Sequence, residues 1–335
     1  MPVSLVVFAV AATATVLGAV RMARLGDVLA DRTGWGEAVF GALFFGATTS
    51  LSGIVITAVT AAGGSPTLAY SNAVGGIAAQ TVAIAVADLF HRRGNLEHAA
   101  ASLTNILFGC LLIGMLVLVV LASFVPPVVV AAIHPVSFLL VAVYVGGLLL
   151  IRRSGDRPMW RAVFTRTTQR DEPVDDGADP RRARTIWLEF TAVGIAVGTG
   201  GAALAVAAEG IVAATALGEG FVGAVLLGIV NGLPEAVTAI AAVRRGALTL
   251  AIAAILGGNC FDVLNVAIGD VAFRGGSLYH AAGPDELFLT LASALMTVIV
   301  ITGLLVRQDR GPGRVGFEGI ALLGTYAAII AVLAN

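Results

Sequence analysis

Apolar runs of about 18–25 residues, the length that crosses a bilayer as helix, recur along nearly the whole chain. Ten can be placed, at 3–20, 36–62, 66–90, 101–124, 127–151, 186–209, 219–243, 247–273, 285–306 and 316–334. The breaks after the second and seventh runs are very short, so each of those runs turns straight back along the next. Gly and Ala are frequent inside the runs, which predicts helices packed closely enough for backbones to approach. The pattern predicts an all-α polytopic membrane protein of about ten transmembrane helices.

A charged stretch, Arg152 to Thr185, divides the runs five and five. The two halves repeat. Adding 182 to any number from 37 to 88 aligns the stretches without a gap. The matched pairs include Glu37/Glu219, Gly41/Gly223, Gly46/Gly228, Leu51/Leu233, Gly64/Gly246, Gly75/Gly257, Gly76/Gly258 and Asp88/Asp270. Five spans per half is an odd number, so the second half enters from the opposite side and the repeats are inverted. The expected organisation is a first repeat at 1–151, a linker at 152–185 and a second repeat at 186–335. Inverted repeats of this kind are characteristic of secondary transporters.

Composition fits. Hydrophobic residues make up 58% of the 335 and charged residues 12%, about half the usual ~25% of a soluble protein. The net charge of −1 gives no reason to expect nucleic acid as a partner; the lipid bilayer is the implied one. All 20 basic residues are arginine, and 19 of them fall in the loops after the odd-numbered spans, with Arg274 alone on the other side. The positive-inside rule then makes those loops and the 152–185 linker cytoplasmic and puts both termini outside, while the short linker and minimal size point to the cell membrane. The linker reads as solvated chain. Cys110 and Cys260 lie inside apolar runs and form no disulfide or metal motif. Val3–Val20 has no basic stretch before it and reads as a span, not a cleaved signal.

The chemistry lies within spans 7 and 8, in Gly232-Leu233-Pro234-Glu235 and Gly257-Gly258-Asn259-Cys260-Phe261-Asp262. An ionisable side chain at bilayer depth costs at least ~2.5–3.5 kcal/mol, which makes it a functional candidate. Pro234 lacks an N–H and frees the Val230 carbonyl, so a discontinuous helix is expected there. Asn231, Glu235 and Thr238 share one helix face, as do Gly258, Asp262 and Asn265. Two such faces would surround a hard cation with oxygen. The plainer alternative for Glu235 and Asp262 is a buried pair sharing a proton.

These residues resemble the cation/Ca²⁺ exchanger superfamily, whose two inverted alpha-repeats carry Gly-Thr-Ser-x-Pro-Glu/Asp and Gly-Asn-x-x-Gly-Ser-Asn motifs. The two stretches above resemble the motifs of the second repeat. Thr49-Ser50-Leu51 and Asn72-Ala73-Val74-Gly75-Gly76 resemble those of the first. The resemblance implies a cation antiporter working by alternating access at a midplane site, with Ca²⁺ or another cation exchanged for Na⁺ or H⁺. Inorganic cations would be its substrates, with no cofactor. The implied ligands are Glu235 and Asp262 as the charged pair, with Asn259, Asn231, Thr49, Ser50, Gln80 and Asn72. The first repeat departs from the pattern: Ser52-Gly53 stands for Pro-Glu, and Gln80 stands opposite Asp262. Losing a carboxylate weakens divalent binding more than monovalent, because the Coulomb energy scales with ion charge.

Other polar residues have plainer readings. Glu37 and Glu219 begin helices, where acids are stabilising; ion entrances are the alternative. Asp88 and Asp270 read as interfacial caps, and Glu189 and Glu209 as interface residues. His91 and His98 fall in a loop. His134, beside Pro135, reads as structural, with proton relay or pH sensing as the alternative. Cys260 reads as apolar filler. Two other classes compete with a transporter. One is a non-transporting or regulatory relative with a decayed first half-site, against which the retained acids argue. The other is an intramembrane aspartyl protease, whose Gly-x-Gly-Asp motif is missing: Ala267-Ile268-Gly269-Asp270 lacks the first Gly. Whether the chain is monomeric or homo-oligomeric is left open.

Overall fold

A computed structural model describes residues 2–33, 49–91, 94–128, 133–156, 158–163, 165, 182–309, 311 and 316–334. The described chain is helical, without strands. Its elements are α1 (Pro2–Thr33), α2 (Leu51–Ala62), α3 (Pro66–Asp88), α4 (Leu96–Ala99), α5 (Leu103–Ala122), α6 (Pro135–Asp156) and α7 (Ala183–Ala214). Then come α8 (Glu219–Phe221), a π-helical turn (Val222–Leu227), α9 (Gly228–Arg245), α10 (Leu248–Asp262) and α11 (Leu264–Ala272). The last are α12 (Leu278–Ala281), α13 (Pro284–Val306) and α14 (Phe317–Leu333). Eight helical segments are long and apolar enough to cross a membrane, and α2 and α14 are shorter apolar helices. Residues 34–48, with Glu37, Gly41 and Gly46, lie outside the described residues.

The offset of 182 reaches past the aligned stretch. It takes the start of α3 to that of α10, both ends of α4 to those of α12, and the start of α6 to that of α14. Beyond Asp88 the sequence still matches at Gly94/Gly276, Leu96/Leu278, His98/His280 and Ala99/Ala281. The tight turns match as well. Gly64 and Gly246 have φ of 89° and 87°, a left-handed conformation that glycine adopts without steric penalty.

Contacts between loops fix which ends lie together. The His98 ring meets the Arg307 carbonyl at 2.6 Å and the Thr165 hydroxyl at 2.8 Å, and Arg307 Nη1 donates to the Val163 carbonyl at 2.6 Å. The loops after spans 3 and 9 therefore meet the linker at one end. At the other, His280 meets the Val125 carbonyl at 2.7 Å. Val125 and Arg307 are themselves 182 apart, so the two contacts are equivalent. α13 runs between these ends with 23 residues, about 34 Å of helix. The repeats are thus inverted.

Among the candidate membrane spans of the described residues, α3 and the α10–α11 span are the most deeply buried. α1 packs along α7, where Arg21 Nε donates to Glu189 Oε1 at 2.7 Å; Glu189 is an ion-pair partner, not merely an interface residue. α3 lies against the π turn and α9 at backbone distance. A Cβ on Gly228 would stand 2.7 Å from the Gly75 carbonyl carbon, and one on Gly75 would run into the Ala224 backbone.

Two expectations need correction. The fifth span starts at Pro135, not 127: proline suits the first helical position, and the preceding His134 amide is held by Asp270 Oδ2 at 2.8 Å. Nor does Pro234 interrupt its helix. α9 runs through it, and the irregularities lie instead in the π turn at Val222–Leu227 and between α10 and α11, at Val263 beside Asp262.

Candidate functional site

Where α2, α3, α9 and α10–α11 meet there is a small cavity. Ser50, Gly53, Asn72, Ala73, Gly76, Gln80, Asn231, Asp262 and Asn265 line it. It has room for about one water-sized group. Of the expected ligands, Asp262, Asn231, Ser50, Gln80 and Asn72 line the cavity, whereas Glu235, Asn259 and Thr49 stand behind the wall. All eight are buried. Asn265 also lines it and was legible from its spacing to Asp262.

Asp262 is held from both repeats. Gln80 Nε2 donates to its Oδ2 at 2.7 Å, and Asn265 Nδ2 to its Oδ1 at 3.3 Å. Gln80 and Asp262 are 182 apart, so this bond joins symmetry-equivalent residues and lies on the pseudo-two-fold axis. Ser50 also borders Asp262. Glu235 is Asp262's acidic neighbour, with Thr49 beside it, yet neither carboxyl oxygen of Glu235 forms a hydrogen bond of good geometry.

A chain of amides closes the first-repeat side. Ser52 Oγ donates to Asn231 Oδ1 at 3.1 Å, Asn231 Nδ2 to Asn72 Oδ1 at 2.7 Å, and Asn72 Nδ2 to Thr57 Oγ1 at 2.8 Å. Asn259 turns away from the cavity and donates to Thr81 Oγ1 at 3.0 Å. Ser52, Thr57 and Thr81 were missed in the sequence because hydroxyl residues on an apolar helix give no signal of their partners. Gln80, Asn259 and Asn265 follow one pattern: each amide nitrogen donates, and each amide oxygen is left buried without a partner. An unsatisfied buried acceptor costs about 1–3 kcal/mol, and a cation recovers that cost for several oxygens together. The missing carboxylate at Gly53 leaves a gap walled by donors: a Cβ there would meet Asn265 Nδ2 at 3.4 Å and Asn231 Nδ2 at 3.5 Å.

The other candidates have structural work. Glu219 Oε2 accepts from the Leu68 amide, 3.3 Å away in the first turn of α3. Asp88 Oδ1 accepts from the Leu96 amide at 2.7 Å, and Asp270 Oδ1 from the equivalent Leu278 amide at 2.9 Å. Each therefore caps the short helix that follows it. His134 packs its ring 5.3 Å from Tyr279 and 5.4 Å from His280. Cys260 Sγ lies 3.4 Å from the Phe108 carbonyl; Cys110 and Cys260 are both free thiols.

The chain matches the model of the sodium/calcium exchanger protein family over residues 3–152 and 185–334. Among solved structures it resembles that of native YfkE, with TM-score 0.66, 17% identity, 99% of this chain and 92% of that chain covered. It resembles the H⁺/Ca²⁺ exchanger CAX with TM-score 0.68, 13% identity, 99% of this chain and 85% of that chain covered. For the sodium–calcium exchanger NCX_Mj the TM-score is 0.58, with 17% identity and 99% of each chain covered. At such identities these likenesses establish the fold. No curated protein sequence matches the chain significantly.

Proposed function

The chain belongs to the sodium/calcium exchanger family, and from that premise we propose that it is a secondary active cation antiporter with its site at the α3/α10–α11 crossing. The observation that carries this reading is the set of buried oxygens without hydrogen-bond partners on Glu235, Gln80 and Asn265, beside Asp262. Oxygen is the ligand hard cations take, and two neighbouring acids supply the charge. Asp262 lines the cavity and meets the ion. Glu235 balances its charge from behind. Ser50, Asn72, Gln80, Asn231 and Asn265 contribute neutral dipoles, while Thr49 and Asn259 support them. The inverted repeats supply alternating access: as one repeat rocks against the other, the site opens to either face in turn. Two carboxylates, both from one repeat, carry the cation, which is Ca²⁺ or a monovalent ion exchanged for Na⁺ or H⁺. The linker and the odd-numbered loops face the cytoplasm of a cell membrane.

The test is uptake of radiolabelled Ca²⁺ and, separately, Na⁺ into proteoliposomes under an imposed Na⁺ or pH gradient. Gradient-driven uptake that disappears in Glu235→Gln supports the reading, and the driving gradient names the counter-ion. Uptake that survives in that variant removes Glu235 from the site, and no uptake of either ion under either gradient contradicts the transporter reading.

A further inference from the structure

The end of the bundle that holds the linker contains a second group of buried acids, unconnected with the central cavity. Asp88 ends α3, Glu97 lies on α4 and Glu318 is in the first turn of α14; their exposures are 2%, 1% and 0%. The carboxyls of Glu97 and Glu318 face each other within hydrogen-bonding reach, acceptor to acceptor, with Asp88 alongside. Glu97 Oε1, Glu318 Oε2 and Asp88 Oδ2 are all buried without a partner. Of the remaining oxygens, Glu318 Oε1 accepts from Asn95 Nδ2 and Asp88 Oδ1 from the Leu96 amide.

Several cationic and imidazole groups lie at this end, and Arg307, His98 and Arg244 have contacts with other residues. Arg307 donates to the carbonyls of His98 and Val163. His98 is engaged by Arg307 and Thr165 and lies 4.0 Å from Asp309. Arg244, at the end of α9, lies over the Phe90 ring at 4.7 Å. His91 is buried just after α3. Arginines 92, 93, 310 and 314 are outside the described residues or their side chains are.

The symmetry-equivalent place at the other end shows what is missing. There the position of Glu97 is taken by Tyr279, that of Glu318 by Val136, and the Tyr279 hydroxyl shares a proton with Ser137 Oγ at 2.9 Å. A hydroxyl brings its own proton; two facing carboxylates must acquire one. We propose that Asp88, Glu97 and Glu318 form a proton-binding site, distinct from the transport site, in which a proton on Glu97 is donated to Glu318. Protonated, the site clamps the end of α3 to α4 and α14. Deprotonated, three carboxylates repel one another and release it. Burial, with Glu318 and then Asp88 beside it, pushes the Glu97 carboxyl well above the usual carboxylate range, which agrees with a proton held there. Asp88 lies eight residues beyond Gln80 on α3, about 12 Å along the helix. Proton occupancy at this end therefore bears on the helix that grips Asp262.

Infrared spectroscopy of the full chain tests this directly, using Glu235→Gln/Asp262→Asn protein so that the central acids are silent. A protonated-carboxyl C=O band is expected at neutral pH, lost on alkalinisation and lost when Glu97→Gln is added. A band that Glu97→Gln leaves unchanged overturns the proposal, as does the absence of any band. Should the added substitution prevent folding, carboxyl-¹³C-glutamate labelling of the same double variant decides. A band that shifts supports a protonated glutamate outside the transport site, and a band that stays puts the proton elsewhere and overturns the assignment. None of these readings requires transport, so their failure is separate from failure of the antiporter reading.

Discussion

The two halves of the central site share a backbone and differ in chemistry. Gln80 and Asp262 occupy equivalent positions and bond to each other across the pseudo-two-fold. Gly53 and Glu235 are equivalent too, but one is a gap walled by the Asn231 and Asn265 amides and the other a carboxylate without a donor. The symmetric fold is set by helix length and turn glycines, which both repeats keep. The ion's ligands need only surround it, so the charge can sit on one repeat. On the proposed reading the second repeat supplies the charge and the first supplies dipoles. The far ends repeat the lesson: Asp88 and Asp270 do the same capping, while their neighbours are acids in one place and a hydroxyl pair in the other.

Four changes probe this contrast, taken from the largest expected effect. Removing the charge by Glu235→Gln should lower cation affinity by about two to four orders of magnitude, as expected from the ~3–5 kcal/mol lost when one partner is taken from a buried ionic contact. Competition between radiolabelled and unlabelled cation measures it, and a change under tenfold would move the charge requirement to Asp262 alone. Gly75→Ala should destabilise by about 1–3 kcal/mol through collision with the Ala224 backbone. Its mate Gly257→Ala should be nearly silent, since a Cβ there meets only the Phe108 ring at 3.6 Å. Thermal unfolding in detergent compares them, and equal losses would mean the crossings are more alike than their contacts.

Gly53→Glu should favour divalent over monovalent binding by about tenfold, since an added charge acts twice as strongly on Ca²⁺ as on Na⁺. A preference that moves toward Na⁺ in competition assays would show that the first repeat does not face the ion. The smallest effect is a pH dependence of stability from Glu97. A raised carboxyl binds its proton more tightly folded than unfolded, so its contribution is present at low pH and falls as pH rises through the folded value. The melting temperature should decline from mildly acidic to alkaline pH and flatten in Glu97→Gln; a slope unchanged by that substitution would remove Glu97 from the account.

Much of this was legible in the sequence. The register of 182, the ten apolar runs and the motifs around Glu235 and Asp262 are written along the chain, because helix length and repeat symmetry are local or periodic properties. Pro234 misled, since a missing N–H marks where a helix can break, while the packing of α3 against Ala224 and Gly228 accompanies a π turn that ends about two helical turns earlier. Asn259 reads as a ligand by its motif and turns to Thr81, a partner 178 residues away. Glu97 and Glu318 gave no warning. One falls between the third and fourth spans and the other at the start of the tenth, and neither was singled out; only the folded chain brings them together and buries them.

Equilibrium binding of radiolabelled cation to the purified protein and to Asp262→Asn, at one pH and ionic strength, tests the central claim most directly. One cation bound per chain by the unaltered protein, and none at the same concentration in the variant, is the predicted result. Full-strength binding after Asp262 is neutralised would contradict a site whose charge comes from the second repeat.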